Sequence, residues 1–139
     1  MIILDTNVLS EIFKPSPDGR VMAWIESLTD DVAITAITLA ELLAGLASLP
    51  EGRRRSELTA AIEKALEPYH DTRSILAFDE VAAQRHADVT STRGRAGSPI
   101  STADAQIAAI CLAHGAVCAT RNVRDFEHTG VELLNPWEE

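Results

Sequence analysis

Short apolar runs alternate along the chain with stretches of helical periodicity. Met1 to Leu4 is a continuous apolar run bounded by Asp5, which predicts a buried strand. Asn7 to Phe13 follows as a short helix, ended by Lys14-Pro15-Ser16-Pro17, where Ser16 is placed to cap and Pro17 to open a second helix reaching about Leu28. Asp31 to Thr35 predicts the second strand. A helix from Thr38, as its cap, to about Leu49 comes next; after Pro50-Glu51-Gly52 another runs to about Leu66 and is closed by Pro68. Ser74 to Phe78 is the third strand. Asp79 caps a helix that ends near Gly94, and Ser101 caps one from Thr102 to His114 that stops at Gly115. Ala116 to Ala119 and Val131 to Leu134 supply two final strands.

Strands separated by helices imply right-handed crossovers. The expected fold is therefore α/β: a three-layer α/β/α arrangement with a central, mainly parallel sheet of about five strands covered on both faces. No repeat, low-complexity tract or linker interrupts the chain, so residues 1–139 are expected to form one domain.

Ligands in such folds bind outside the carboxyl ends of the strands. Four acids stand just past apolar runs: Asp5 after the first strand, Glu41 and Asp104 in the first turns of two helices, and Asp125 before Phe126. Gathered at one sheet edge, four carboxylates repel one another and have their pKa values raised unless cations fill the space between them, so the pattern points to a metal site. Each acid also has a purely structural reading. Thr38-Leu39-Ala40-Glu41 has capping-box form and Ser101-Thr102-Ala103-Asp104 is a near variant; Asp5 suits a helix cap and Asp125 a turn. Their joint placement at one edge favours a shared site. Glu11 stays open between a solvated helix position and the rim of the pocket.

Composition narrows the partners. Hydrophobic residues make up 46% of the chain and charged ones 24%, which suits a soluble globular protein rather than a disordered one. The formal net charge of −9 repels polyphosphate at long range, so nucleic-acid binding has to rest on local basic groups or on cations in the acidic pocket. Arg53-Arg54-Arg55, Arg93 and Arg95 flanking Gly94 in a loop, and Arg121 with Arg124 are candidates, each also readable as a solvated face. Cys111 and Cys118 lie in apolar runs and suit buried free thiols of a reducing compartment. His70, His86, His114 and His128 have no zinc spacing. Four apolar residues before Asp5, without a basic stretch, make no secretory signal. Glu41 interrupts the one apolar stretch of membrane-spanning length, so a cytoplasmic location is expected. Leu39, Leu42, Leu43, Leu46 and Leu49 form a stripe too rich for one sheet contact, readable as buried within the subunit or as partly a self-association face.

The segments Leu4-Asp5-Thr6-Asn7-Val8-Leu9-Ser10-Glu11, Thr35 to Gly45, Ile100 to Ala108 and Ala119 to Phe126 resemble the four ordered motifs of PIN-domain ribonucleases. Within that family the chain is most similar to the VapC and FitB-like toxins of bacterial type II toxin–antitoxin pairs. The likeness extends from Ile2 to about Asn135. It implies a small α/β/α fold, a Mg2+-dependent endoribonuclease in which Mn2+ can substitute, a homodimer, and inhibition by a cognate antitoxin through which alone operator DNA is met. Carried over position by position, it makes Asp5, Glu41 and Asp104 the core acidic ligands and Asp125 the fourth. Thr6, Asn7, Ser101, Thr120 and Asn122 fall on the family's supporting polar positions. Many relatives carry an acid where Asn122 stands, so the fourth ligand is Asp125, the Asn122 carbonyl oxygen, or both through water.

The residues fit that chemistry independently. Four pocket acids serve one Mg2+ ion or two, and an ion-activated water removes the need for a nucleophilic side chain. Rival classes lack their marks. A phosphoacceptor domain wants paired acids after the first strand and a late-strand lysine, and a haloacid-dehalogenase-like phosphatase wants an acid where Asn7 stands. A non-catalytic acidic-pocket signalling or interaction module of the same fold is the remaining alternative.

Overall fold

A computed structural model describes residues 1–71 and 73–139. The chain runs through β1 (Ile2–Leu4), α1 (Thr6–Glu11), α2 (Gly19–Ser27), β2 (Val32–Thr35), α3 (Ala36–Ala47), α4 (Arg53–His70), β3 (Ser74–Leu76), α5 (Glu80–Arg95), α6 (Thr102–His114), β4 (Val117–Ala119), α7 (Val123–Phe126) and β5 (Leu133–Leu134). A 3-10 turn, Pro136–Glu138, follows. The five strands form one sheet in the order β3-β2-β1-β4-β5, every neighbouring pair parallel. The expected α/β/α architecture is the observed one.

Strand residues alternate between the two faces, as the pleat requires. Ile2, Leu4, Val32 and Ile34 pack with Val8, Leu9, Val21, Leu42, Leu46, Ile62, Leu66 and Tyr69, so helices α1 to α4 cover one face. Ile3, Ala33 and Cys118 pack with Ala82, Val89, Ala105, Ile107, Ala108, Ile110 and Cys111 under α5 and α6. Cys111 and Cys118 are both buried and free, as their apolar settings suggested. α6 is apolar nearly all round, with Ala105, Ala108 and Ala109 fully buried, because small side chains let it lie close against the sheet. Gly115 ends it at φ 59°, a left-handed turn that glycine adopts without strain.

From β1 the chain leaves across one face toward β2, whereas β4 is reached from the other face through α6. The carboxyl ends of β1 and β4 therefore flank a topological switch point, where connections diverge and leave a crevice. The Asp5 N–H donates to the Ala119 carbonyl at 2.9 Å, and Thr120 N–H to Leu134 at 2.9 Å, so the strand ends are fastened as they enter it.

Several boundaries differ from the sequence reading. The second helix is capped by Asp18, not Ser16, and starts at Gly19: the Asp18 carboxylate accepts from Arg20 N–H at 2.8 Å and Val21 N–H at 3.3 Å. Asp18 is held there by Glu11, whose Oε2 accepts from the Asp18 N–H at 3.0 Å while its Oε1 pairs with Lys14 at 2.8 Å. Glu11 is thus a buried fastener between α1 and α2, and the hydrogen bonds from Lys14 and Asp18 hold its carboxyl below the usual range. α3 is capped by Thr35, whose hydroxyl accepts from Thr38 N–H at 3.1 Å, one turn earlier than expected. Pro68 does not end α4 but lies in its last turn; the helix continues because Tyr69 buries its ring in the core. Arg93 and Arg95 belong to α5 rather than to a loop. Of the leucine stripe, Leu42 and Leu46 are buried and Leu39 packs against the core, leaving Leu43 half exposed.

Candidate active site

Asp5 sits one residue beyond β1 and is 4% exposed. Its Oδ1 accepts from Thr6 N–H at 2.8 Å, and its Oδ2 accepts from Thr120 Oγ1 at 2.8 Å and Asn7 Nδ2 at 3.0 Å. Three donors favour the charged form, yet the pKa is pushed from 3.8 up to about 6. Burial is the largest cause, and the charges of Asp104 and Glu41 add to it against the bonds from Thr120 and Thr6. A shift of that size corresponds to ~3 kcal/mol favouring the protonated form. Helix capping does not explain the arrangement, since the carboxylate reaches only the first helical N–H instead of the second or third.

Glu41 projects from the second turn of α3, exposed, with Oε1 accepting from Thr6 Oγ1 at 2.7 Å. Thr6 Oγ1 meets Thr38 Oγ1 at 3.0 Å, and Thr35 Oγ1 donates to Thr38 Oγ1 at 3.4 Å. With the Thr6 proton committed to Glu41, Thr38 donates to Thr6, so three hydroxyls point their protons along one line toward the carboxylate. The capping-box reading of Glu41 fails, because Thr38 is not the cap and Glu41 turns to Thr6. Thr35 and Thr38 are fully buried members of the site that sequence reading placed only as strand end and cap. The spacing Thr35-x-x-Thr38-x-x-Glu41, three residues apart along one helix, was the available signal.

Asp104 enters from the first turn of α6, beyond β3 and α5. Ser101 caps that helix as expected, its Oγ accepting from Asp104 N–H at 3.2 Å. The half-buried Asp104 carboxyl has its pKa raised by burial first, then by Asp125 and Glu41, against Ser101 and the charge of Arg93. Asp125 lies exposed on α7, and its charge acts on Asp104. The crevice thus brings Asp5, Glu41 and Asp104 into one electrostatic group, with Asp125 joined through Asp104.

Asn7 laces the crevice together. Its Nδ2 reaches Asp5 and, at 3.4 Å, Thr120 Oγ1, while its Oδ1 accepts from Arg121 N–H at 3.1 Å. Thr120 Oγ1 in turn accepts from Asn122 N–H at 3.0 Å. Asn122 is exposed and begins α7 without a side-chain capping bond. Asp5 feels the charges of Asp104 and Glu41, and Asp104 those of Asp125 and Glu41, but among the described residues no three His, Cys, Asp or Glu side chains close on a single point as they would around a bound ion. The donor set, all oxygen and mutually repelling, suits a hard divalent cation rather than zinc.

The basic groups divide. Arg53 pairs with Glu57 at 3.0 Å, and the Arg121 guanidinium lies 5.1 Å over the Trp137 ring. An open cleft of about 500 Å3 beside Asp125 is lined by Arg121, Asn122, Arg124, Glu127 and Glu138 among others. A larger depression of about 660 Å3, along β4, β5 and the C-terminal turn, holds none of the four acids. Arg93, read from sequence as a candidate nucleic-acid contact or a solvated face, is 6% exposed and among the described residues donates only to backbone carbonyls. No periodicity in the sequence marked it. Of the histidines, His86 packs edge-on against Phe78, and His70, His114 and His128 are exposed.

The PIN domain family model matches residues 2–132. The chain is 42% identical over 139 residues to VapC ribonuclease Y4jK of Sinorhizobium fredii, covering 99% of both chains. It is 41% identical over 140 residues to Toxin FitB of Neisseria gonorrhoeae, covering 100% of both. The structure of FitAB bound to an IR36 DNA fragment contains a chain that superposes with a TM-score of 0.90 at 40% identity, covering 99% of this chain and 96% of that one. A full-length match at this identity, together with an oxygen-donor crevice at the switch point of a parallel five-stranded sheet, places the chain in the PIN-domain family, in its VapC/FitB toxin branch.

Proposed function

We propose that this protein is the toxin of a toxin–antitoxin pair, a divalent-metal-dependent endoribonuclease that hydrolyses RNA phosphodiester bonds with Mg2+, or Mn2+ in its place. The carrying observation is Asp5: buried on three hydrogen-bond donors, with its pKa pushed to about 6 by burial and by Asp104 and Glu41. A chain retains so unfavourable an anionic group where a cation relieves it. Asp5, Glu41 and Asp104 would hold the ion, with Asp125 as the fourth acid. Bound there, the ion supplies an acidified water and neutralises charge building on the phosphoryl oxygens. Thr6, backed by Thr38 and Thr35, aims Glu41; Asn7 and Thr120 fix Asp5; Ser101 sets the helix turn that carries Asp104.

Likeness to Toxin FitB over its whole length supports an antitoxin as protein partner, and likeness to the FitAB–DNA structure supports contact with operator DNA through that antitoxin. A net charge of −9 is unsuited to direct DNA binding by the toxin itself. A homodimer is part of the same proposal. Among the described residues no helix is long and apolar enough to cross a membrane, in keeping with a cytoplasmic RNA target.

The test is incubation of the purified, antitoxin-free protein with single-stranded and looped RNA in Mg2+ or Mn2+, with the new ends sequenced. Defined cut positions are expected. RNA left intact in both ions defeats the reading.

The fourth position has its own experiment. Asp125→Asn is expected to weaken Mn2+ binding and lower turnover, while Asn122→Asp tightens Mn2+ binding by adding an anionic donor beside the crevice. The two changes therefore move a metal titration in opposite directions. Unchanged affinity and turnover in Asp125→Asn, with both lost in Asn122→Ala, would transfer the role to the amide oxygen.

A further inference from the structure

We propose that Arg93 is a positioning residue for the acidic site, a buried guanidinium that sets the placement of Asp104 and Asp125 and thereby the affinity for the divalent ion. The inference rests on the metal-nuclease reading above. Arg93 belongs to α5, which bears none of the four site acids, and is 6% exposed. Its Nη1 donates to the Asp125 carbonyl at 2.7 Å and to the Glu127 carbonyl at 2.9 Å, and its Nε donates to the Ser98 carbonyl at 2.6 Å.

Those acceptors are at informative places. α7 is a four-residue helix, too short to satisfy its own terminal carbonyls, so the Asp125 and Glu127 oxygens are orphans that need an outside donor. One nitrogen of Arg93 serves both. The Ser98 segment is gripped from two sides, since its N–H also donates to the Arg93 carbonyl at 3.0 Å. Three residues later comes Ser101, the cap whose hydroxyl holds the Asp104 N–H. A single planar cation thus ties down both the short helix carrying Asp125 and the approach to the helix carrying Asp104.

A buried cation bonded only to neutral carbonyls is a costly way to fill a core, and an apolar side chain of similar volume avoids that cost. Among the described residues no carboxylate lies in salt-bridge contact with Arg93. Its charge is instead felt by Asp104, where it opposes the effects of burial and of neighbouring acids. Arg93 therefore offsets part of the repulsion between Asp104 and Asp125 while fixing the Asp125 backbone and the segment that leads into the Asp104 helix. Lysine cannot reproduce this, because it lacks the rigid fork that spans Ser98 on one side and α7 on the other.

The experiment measures Mn2+ affinity of the metal-free protein by calorimetry, alongside urea unfolding and RNA cleavage. The variants are Arg93→Lys, Arg93→Met and Leu66→Ala, the last a core truncation on the opposite face of the sheet. Arg93→Lys and Arg93→Met are expected to bind Mn2+ about tenfold or more weakly. Added methylguanidinium should restore part of the affinity of Arg93→Met. Leu66→Ala should lower stability but keep the parent affinity. The proposal is overturned if Arg93→Lys, the variant better able to fold, binds Mn2+ within about twofold of the parent. It is overturned equally if Leu66→Ala weakens binding as much as the Arg93 variants do. A parent that neither binds Mn2+ nor cuts RNA removes the nuclease reading and this inference with it. A parent that does both, beside an unaltered Arg93→Lys, removes only this inference.

Discussion

Asp5→Asn is expected to abolish RNA cleavage while leaving the metal-free protein as stable as the parent or more so, by up to about 1–2 kcal/mol at pH 7. The reasoning starts from the raised pKa of Asp5: the folded protein binds a proton there more tightly than the unfolded chain does, so the ionised form is what folding disfavours. With folded pKa about 6 against 3.8, this group's contribution to stability is fully present below about pH 4 and is lost as pH rises to about 6. Asparagine removes the charge and with it that loss. The gain falls short of the ~3 kcal/mol implied by the shift, because an amide cannot accept all the bonds from Thr6, Thr120 and Asn7 that the carboxylate accepts. Urea unfolding of parent and variant from pH 4 to 7 is the check: the difference should grow with pH, and the lowered pKa of Glu11, common to both proteins, cancels. An Asp5→Asn protein that is markedly less stable at pH 7 and still cuts RNA would mean that Asp5 is a structural fastener.

Removing the divalent ion is expected to end cleavage altogether, and the protein's hold on that ion is expected to weaken as pH falls. Chelator should stop turnover completely, and added Mg2+ or Mn2+ should restore it. Protons compete with the ion for Asp5: with a pKa of about 6, roughly one molecule in ten has Asp5 ionised at pH 5 and about nine in ten at pH 7. Mn2+ affinity should drop about tenfold across that interval from Asp5 alone, and further from Asp104, whose pKa is raised as well. The sign is opposite to that of apo stability, which through Asp5 improves toward low pH. Mn2+ affinity constant between pH 5 and 7, or cleavage undiminished in chelator, contradicts the assignment of these carboxylates to the ion.

The strand–helix alternation was legible because hydrophobic period is a local property: Met1 to Leu4, Val32 to Thr35 and Val117 to Ala119 are apolar runs of strand length between amphipathic segments. That alternation implied a parallel sheet, a parallel sheet implied chemistry at its carboxyl edge, and Asp5, Glu41, Asp104 and Asp125 all lie there. The sequence by itself therefore determined the layers, the edge and the chemical class of the site. Caps were read less well. Ser16 and Thr38 had the right residue type, but Asp18 and Thr35 took the role because Glu11 anchors Asp18 and the end of β2 places Thr35 at the helix start. Only the tertiary structure decided which groups support the acids. Thr38 turns its hydroxyl to Thr6, 32 positions away in the chain, and Arg93 reaches carbonyls at Asp125 and Glu127 from a helix that bears none of the four site acids. Such contacts depend on the register of β1 against β2 and on how α5 packs beside α6 and α7. Burial, likewise, raises the pKa of Asp5 only once two layers of helices have closed over the sheet. Local periodicity carries no information about either, because both arise from residues far apart in sequence meeting at one sheet edge.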